Sequence, residues 1–223
     1  MIHIEQFIFN AFQTRCCLVW DDKGVCTVID PGYIDAEKDR IVAFIESKNL
    51  KPASILLTHA HFDHIYGIAD FVRKYNVPIY MDMKETFSIE KTNPYVCGNY
   101  GLSLPEIPDL ATSFIDTHEG DVIEVGDLRF EVLETPGHSV GGLCFLERKE
   151  KLLLSGDTIF AGSIGRTDHP GGDYDLLMKN IWEKLMCLDG DITVIPGHGP
   201  ATDIATERMT YPFLMPFNEP YEE

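Results

Sequence analysis

Thr58-His59-Ala60-His61-Phe62-Asp63-His64 sets three imidazoles and one carboxylate within seven residues, directly behind the apolar run Ser54-Ile55-Leu56-Leu57. A buried strand that ends in so much proton-binding chemistry needs something to satisfy it, because an apolar core cannot. His59 and His61 are two apart, so an extended strand end turns both imidazoles to one side. Asp63 and His64 swing to a neighbouring point as the chain turns into the next helix. That is a geometry for two adjacent metal ions. Neutral imidazole and carboxylate suit zinc, iron or manganese, and three or four such ligands per ion with an open position define a catalytic site.

Three later stretches repeat the pattern. Thr135-Pro136-Gly137-His138 follows Glu131-Val132-Leu133, Ser155-Gly156-Asp157-Thr158 follows Leu152-Leu153-Leu154, and Pro196-Gly197-His198-Gly199 follows Ile192 to Ile195. In each, an apolar strand ends, a small or turn-forming residue redirects the backbone, and a His or Asp appears at the exit, so the side chains can converge on one point. Taken alone, His138 or His198 reads as a core histidine with its hydrogen bonds met. Four such exits in one chain read as a metal site.

The rest of the chain bounds what that site can serve. Its 223 residues, 44% hydrophobic and 24% charged, with 18 Gly and 13 Pro spread along the length, describe one folded domain over residues 1–223. The net charge of -18 repels a phosphate backbone and an anionic membrane surface, so nucleic acid and membrane are poor partners and a small molecule is the expected one. The start MIHIEQFIFN lacks the basic n-region and unbroken apolar stretch of a signal peptide, and no apolar run approaches the roughly 20 residues of a membrane helix, so the cytoplasm is the expected location. Cys16, Cys17, Cys26, Cys97, Cys144 and Cys187 form no CxxC pair and read as reduced, mostly buried thiols. Cys16 and Cys17 point to opposite faces of a strand and so do not make a zinc site.

Pattern and turn chemistry predict strands at Ile2 to Phe9, Arg15 to Trp20, Val25 to Ile29, Ser54 to Leu57 after a break at Pro52, and Ile79 to Met81. Further strands are expected at Val122 to Val125, Leu128 to Leu133, Leu143 to Leu146, Leu152 to Leu154 and Ile192 to Ile195. Helices are expected over Ala36 to Lys48, about Ile65 to Tyr75, around Tyr174 to Cys187, and near Asp203 to Thr210. Glu90 to Asp109, with its prolines and glycines and no clear period, reads as a long functional loop, of which Tyr95 to Pro108 is expected to form a lid or wall of the site. The order β-rich, βα, β-rich, αβα gives an α/β chain of two sheets packed face to face with helices on their outer sides.

The residues HxHxDH (His59, His61, Asp63, His64), His138, Asp157 and His198 resemble the metallo-β-lactamase fold superfamily, over nearly the whole chain. The resemblance implies an αββα sandwich with the site on one edge of the two sheets. It also implies that His59, His61 and His138 hold a first metal, that Asp63, His64 and His198 hold a second, and that Asp157 bridges both. Within the superfamily, Ser155 to Asp173 (SGDTIFAGSIGRTDHPGGD) is similar to the glyoxalase II and thioesterase-like hydrolases, and the small bacterial glyoxalase II-like proteins match on through the tail Glu207 to Leu214. Asp157 stands where a β-lactamase proper commonly has Cys. The chain ends at Glu223, too soon for the helical C-terminal domain with which larger glyoxalase II enzymes hold glutathione.

Two cations a few ångströms apart lower the pKa of a bridging water from 15.7 towards roughly 7, giving a hydroxide nucleophile at neutral pH, with Asp63 and Asp157, the carboxylates that would hold the ions, as the candidate catalytic residues. A thiolate of pKa about 8.5 leaves without a strong acid. The expected activity is hydrolysis of a thioester such as an S-acyl glutathione with two divalent ions, zinc first and iron or manganese as alternatives. Arg166 and Tyr100 are the candidate substrate contacts, with Arg166 alternatively pinned to Asp168; Tyr66 and Tyr95 are further wall candidates, and His169 has no clear role. His3 and His118 read as strand and surface residues. The rival activities are a persulfide dioxygenase, whose iron takes two His and one Asp, and hydrolysis of a lactone or other ester. A nuclease conflicts with the acidic balance, and a purely structural metal site conflicts with the absence of Cys ligands.

Overall fold

Successive residues of a strand face opposite ways, and Thr14–Trp20 shows the consequence. Cys16 and Leu18 pack with Ile41, Ile45, Ile68 and Phe71, whereas Cys17 and Val19 pack with Phe130, Val132, Phe145 and Leu154. A strand apolar on both sides is covered on both sides. The computed structural model, which describes residues 1–210, accordingly has four layers, two mixed sheets inside and helices outside, the αββα arrangement of the metallo-β-lactamase fold.

The first sheet runs His3–Phe9 (β1), Thr14–Trp20 (β2), Val25–Ile29 (β3), Lys51–Leu56 (β4), Ile79–Met81 (β5) and Phe114–Asp116 (β6), in that spatial order. The second takes Val122–Val125 (β7), Leu128–Glu134 (β8), Leu143–Glu147 (β9), Leu152–Gly156 (β10) and, after a small hairpin of Ile159–Phe160 (β11) with Ser163–Ile164 (β12), Thr193–Pro196 (β13) and Thr202–Asp203 (β14). Its spatial order is β14-β13-β10-β9-β8-β7. The helices are Lys38–Ser47 (α1), Phe62–Ile65 (α2), Ile68–Tyr75 (α3), Asn93–Tyr100 (α4), Leu110–Ser113 (α5), Tyr174–Asn180 (α6) and Ile204–Thr210 (α7). α1 and α3 cover the first sheet through Ile41, Ile45, Ile68 and Phe71. α6 and the turn after it cover the second through Leu177, Ile181 and Leu185 against Leu133, Cys144, Leu146 and Leu153.

Several expectations need correction. The helix expected over Ile65 to Tyr75 is two helices, because the Gly67 amide turns to the Pro31 carbonyl at 2.8 Å while Asn10 Nδ2 takes the Asp63 carbonyl at 3.0 Å. Pro52 lies inside β4, at the point where its register with β3 shifts, and β5 pairs with β4 only from Ile55, so the missing N–H interrupts little. The segment expected as a loop over Glu90 to Asp109 is helical in its first half, where a wide turn at Ser88–Thr92 leads into α4 with Pro94 in its first turn and Gly101 as a left-handed stop, and is in neither helix nor strand over residues 102–109. Residues 211–214, the end of the tail that carried part of the resemblance, lie outside the described residues. The cysteines are free thiols, all buried except Cys187. Among the described residues no helix is long and apolar enough to cross a membrane.

Candidate metal centre

β4 of the first sheet and β8, β10 and β13 of the second end at the same edge of the sandwich. Backbone bonds stitch the sheets there, from the Leu143 amide to the Thr58 carbonyl and from the Arg15 amide to the Gly197 carbonyl, each 2.7 Å. Every exit delivers its side chain to one place. His59, His61 and His138 form one group whose ring nitrogens lie within 4.8 Å of one another, with His61 Nδ1 2.9 Å from His138 Nε2. Asp63, His64 and His198 form a second, in which His64 Nε2 and His198 Nε2 are 3.3 Å apart and Asp63 Oδ2 lies 3.6 Å from the former and 3.4 Å from the latter.

Asp157 stands between the groups. Its Oδ2 is 3.6 Å from His138 Nε2 and 3.5 Å from His198 Nε2, and its Oδ1 is 3.5 Å from His64 Nε2. Two glycines make the convergence sterically possible. A Cβ on Gly197 would fall 2.3 Å from Asp157 Oδ1, and one on Gly165 would fall 1.9 Å from the Asp157 carbonyl oxygen and 2.8 Å from His138 Nδ1.

The outer nitrogens are tied, which fixes what the inner ones offer. His138 Nδ1–H donates to the Arg166 carbonyl at 2.7 Å, His198 Nδ1–H to the Phe12 carbonyl at 3.1 Å, and His64 Nδ1–H to Asp30 Oδ2 at 3.0 Å. Each leaves Nε2 facing inward. Thr14 Oγ1 donates to Asp63 Oδ2 at 2.7 Å. Burial and the crowd of neighbouring imidazoles hold His59 and His61 well below the usual histidine value, and burial brings His138 down to about 4 against the pull of Asp157. The first group is therefore neutral, with lone pairs available.

The second group behaves oppositely. Burial disfavours a charged His64, yet Asp63, Asp157 and Asp30 together push it up to about 10. Burial likewise opposes an ionised Asp63, and His64, His198 and Thr14 outweigh it, holding Asp63 well below the usual carboxylate range. A proton on His64 thus balances the carboxylates where a cation would otherwise sit.

Divalent ions fit these residues on two observations. His59 Nε2 and Asp157 Oδ1 are buried without any hydrogen-bond partner, which native interiors rarely tolerate unless another partner belongs there. The donors are imidazole nitrogen and carboxylate oxygen, the set that zinc, iron and manganese accept. The buried groups are consistent with a dinuclear site.

The family model described as the metallo-beta-lactamase superfamily matches residues 9–198. The chain belongs to that superfamily. The Haemophilus influenzae protein named hydroxyacylglutathione hydrolase GloC is 35% identical over 96% of this chain and 98% of its own. Among solved structures, BLEG-1 B3 metallo-beta-lactamase superimposes with a TM-score of 0.86 at 32% identity, over 96% of this chain and 99% of that one. TTHA1623 in a di-iron-bound form superimposes with a TM-score of 0.81 at 32% identity, over 94% of this chain and 100% of that one.

In this member of the superfamily the site opens on a cleft of about 700 Å³. α4 walls one side with Asn93, Tyr95 and Tyr100, and the loop carrying Arg166 and His169 walls the other. Arg166 is paired to Asp168 through two bonds of 2.7 and 3.0 Å, so what it gives the ligand group directly is its backbone carbonyl, the acceptor for His138. Tyr66 donates to the Ser103 carbonyl at 2.9 Å. His169 stands edge-on to His61 with ring centroids 4.8 Å apart, and its Nε2 is buried without a partner. His3 and His118 are away from the cleft, paired with Asp22 and Asp116.

The sequence reading missed the supports. Asp30 accepts from the Thr58 amide (2.8 Å), Thr58 Oγ1 (2.6 Å) and His64 Nδ1. Val28-Ile29-Asp30-Pro31-Gly32 is a fifth strand exit of the same form, so the signal was present. Arg15, buried in β2, donates to the Pro196 carbonyl at 2.7 Å and to the Gly199 carbonyl, holding both sides of His198. No sequence pattern marks it.

Proposed function

We propose that the chain is a metal-dependent hydrolase of acyl thioesters, an S-acyl glutathione being the representative substrate, acting in the cytoplasm with zinc as the first candidate metal and iron or manganese as alternatives. The observation that carries this reading is Asp157 set between two buried groups of three ligands on the floor of an open cleft. His59, His61, His138 and Asp157 would hold one ion, and Asp63, His64, His198 and Asp157 the other. Ions bound there supply Lewis acidity towards a carbonyl oxygen and make water acidic enough to lose a proton near neutral pH.

The protein's own part is to orient and to exclude. Asp30 and the carbonyls of Arg166 and Phe12 keep inward nitrogens aimed, so little reorganisation is needed when the acyl group arrives. α4 and the Arg166–His169 loop hold the remainder of the substrate between them. A departing thiolate needs no strong acid, since its unperturbed pKa is about 8.5. The name of the GloC relative supports a glutathione thioester in particular.

Loss of the thioester absorbance of an S-acyl glutathione tests the reading. Turnover should vanish on chelation and return with added metal. Oxygen uptake with glutathione persulfide, or faster opening of a β-lactam than of any thioester, would replace it.

A further inference from the structure

Residues 57–61 lie between β4 and α2 in neither strand nor helix, yet they carry two of the ligands and are buried. Leu57 still bonds to Tyr80 of β5, and Thr58 to Leu143 and Asp30, but the backbone groups of Ala60 need partners that no ladder supplies. The segment after β5 supplies these with side chains. The Ala60 N–H donates to Glu85 Oε2 at 2.8 Å, Asn93 Nδ2 donates to the Ala60 carbonyl at 2.9 Å, and the Phe62 N–H donates to Asn93 Oδ1 at 2.9 Å. Both backbone groups of the residue between His59 and His61 are therefore held by buried side chains.

Glu85 does more than cap this turn. Its other oxygen, Oε1, accepts from the Gly141 N–H at 2.7 Å, three residues beyond His138 in the loop that joins β8 to β9 of the second sheet. One carboxylate thus joins the His59–His61 turn to the segment that carries the third ligand of the same group. The fit is close: a Cβ on Gly141 would lie 3.1 Å from Glu85 Cγ. Glu85 is wholly buried and Asn93 1% exposed, and a buried carboxylate is a costly way to cap one turn.

We propose that Glu85 and Asn93 are positioning residues of the metal centre, fixing His59, His61 and His138 in mutual register through the backbones that carry them. Asn93 also begins the helix whose Tyr95 and Tyr100 wall the cleft, so one segment sets both the wall and the ligand turn. The inference rests on the metal reading of the site.

Cobalt(II) as the probe separates a positioning role from a stabilising one. Each protein is loaded with cobalt, its visible spectrum recorded, and release to a chromogenic chelator timed; thermal unfolding of the metal-free form is followed by circular dichroism. Glu85→Gln turns an N–H₂ on a backbone N–H, and Asn93→Ala removes two bonds. In both, release should quicken by about 10- to 100-fold, the range for lost support of metal ligands, and the spectrum should change. Asp21→Asn is the control. That carboxylate is equally buried and accepts from the Lys23, Val25 and Asp127 amides far from the site, so its loss should lower the melting point and leave release and spectrum unchanged.

If Glu85→Gln and Asn93→Ala do not fold, Asn93→Asp decides by the same readouts, since it keeps the acceptor for Phe62 and sets an oxygen against the Ala60 carbonyl. Folded variants that melt earlier but release cobalt at the parent rate with the parent spectrum overturn the proposal alone. A parent that takes up no cobalt overturns the metal reading and this inference with it.

Discussion

Replacing Asp157 by alanine is expected to weaken metal binding at both positions, whereas His198→Ala is expected to weaken it at one. Asp157 touches His138 of the first group and His64 and His198 of the second, at 3.5 to 3.6 Å, so its charge faces an ion in either. Unit charges ~4 Å apart interact by about 4 kcal/mol at an effective dielectric constant near 20, and a divalent ion doubles this to about 8. Keeping the carboxylate out of water costs several kcal/mol, which leaves ~3–5 kcal/mol per ion and therefore about two to four decades in affinity. Elemental analysis after identical dialysis, with thioester turnover on the same samples, provides the assay. Asp157→Ala should retain at most one ion per chain and lose several orders of magnitude in turnover. His198→Ala should retain the ion held by His59, His61, His138 and Asp157, with weak residual turnover. Two ions per chain and near-normal turnover in Asp157→Ala would refute the bridging role.

Further expectations follow from the supports, the protonation pattern and the walls. Asp30→Asn loses an acceptor shared by Thr58 and His64, so the second ion should bind about 10- to 100-fold more weakly while the first stays, as metal titration by calorimetry will read. In the metal-free protein, the raised His64 gives stability that is complete below about pH 6.5 and lost as pH rises through about 10; the depressed His138 gives stability that is lost as pH falls from about 6.5 through about 4. Denaturant melts of the stripped protein should therefore show greatest stability near pH 6.5, and monotonic dependence from pH 4 to 10 would contradict the protonation pattern. Tyr95→Ala and Tyr100→Ala should raise KM with metal content intact, because both residues wall the cleft and neither belongs to the two candidate ligand groups. Arg166→Ala should change KM by less than about threefold, since the guanidinium is exposed and already paired with Asp168; a tenfold rise would show that it meets the substrate directly.

The convergence of these His and Asp side chains was legible because most of them follow an apolar strand through a turn, so periodicity and residue type point to the same place. His59, His61, His138, Asp157 and His198 all leave strands, and strands announce themselves by runs such as Leu152-Leu153-Leu154. The supports were less legible. Glu85 and Asn93 lie in a segment whose helices lack an apolar stripe, because α4 turns Asn93 and Cys97 inward and leaves Tyr95 and Tyr100 exposed. Pro94 and Gly101 did mark its two ends, and the long-loop reading gave them too little weight. β6, β11, β12 and β14 are two or three residues long, too short for any period to show. Arg166 illustrates a different limit. Its side-chain pairing to Asp168 could be weighed from sequence, but its carbonyl orienting His138 depends on where a loop returns in space.

Anomalous diffraction from crystals of the protein purified without chelator, with data on both sides of each candidate metal edge, tests the dinuclear centre most directly. Two peaks are expected on either side of Asp157, one among His59, His61 and His138 and the other among Asp63, His64 and His198, with the edge naming the metal. A map with no peak at Asp157, or with its one strong peak elsewhere in the molecule, would contradict the centre and the hydrolytic chemistry built upon it.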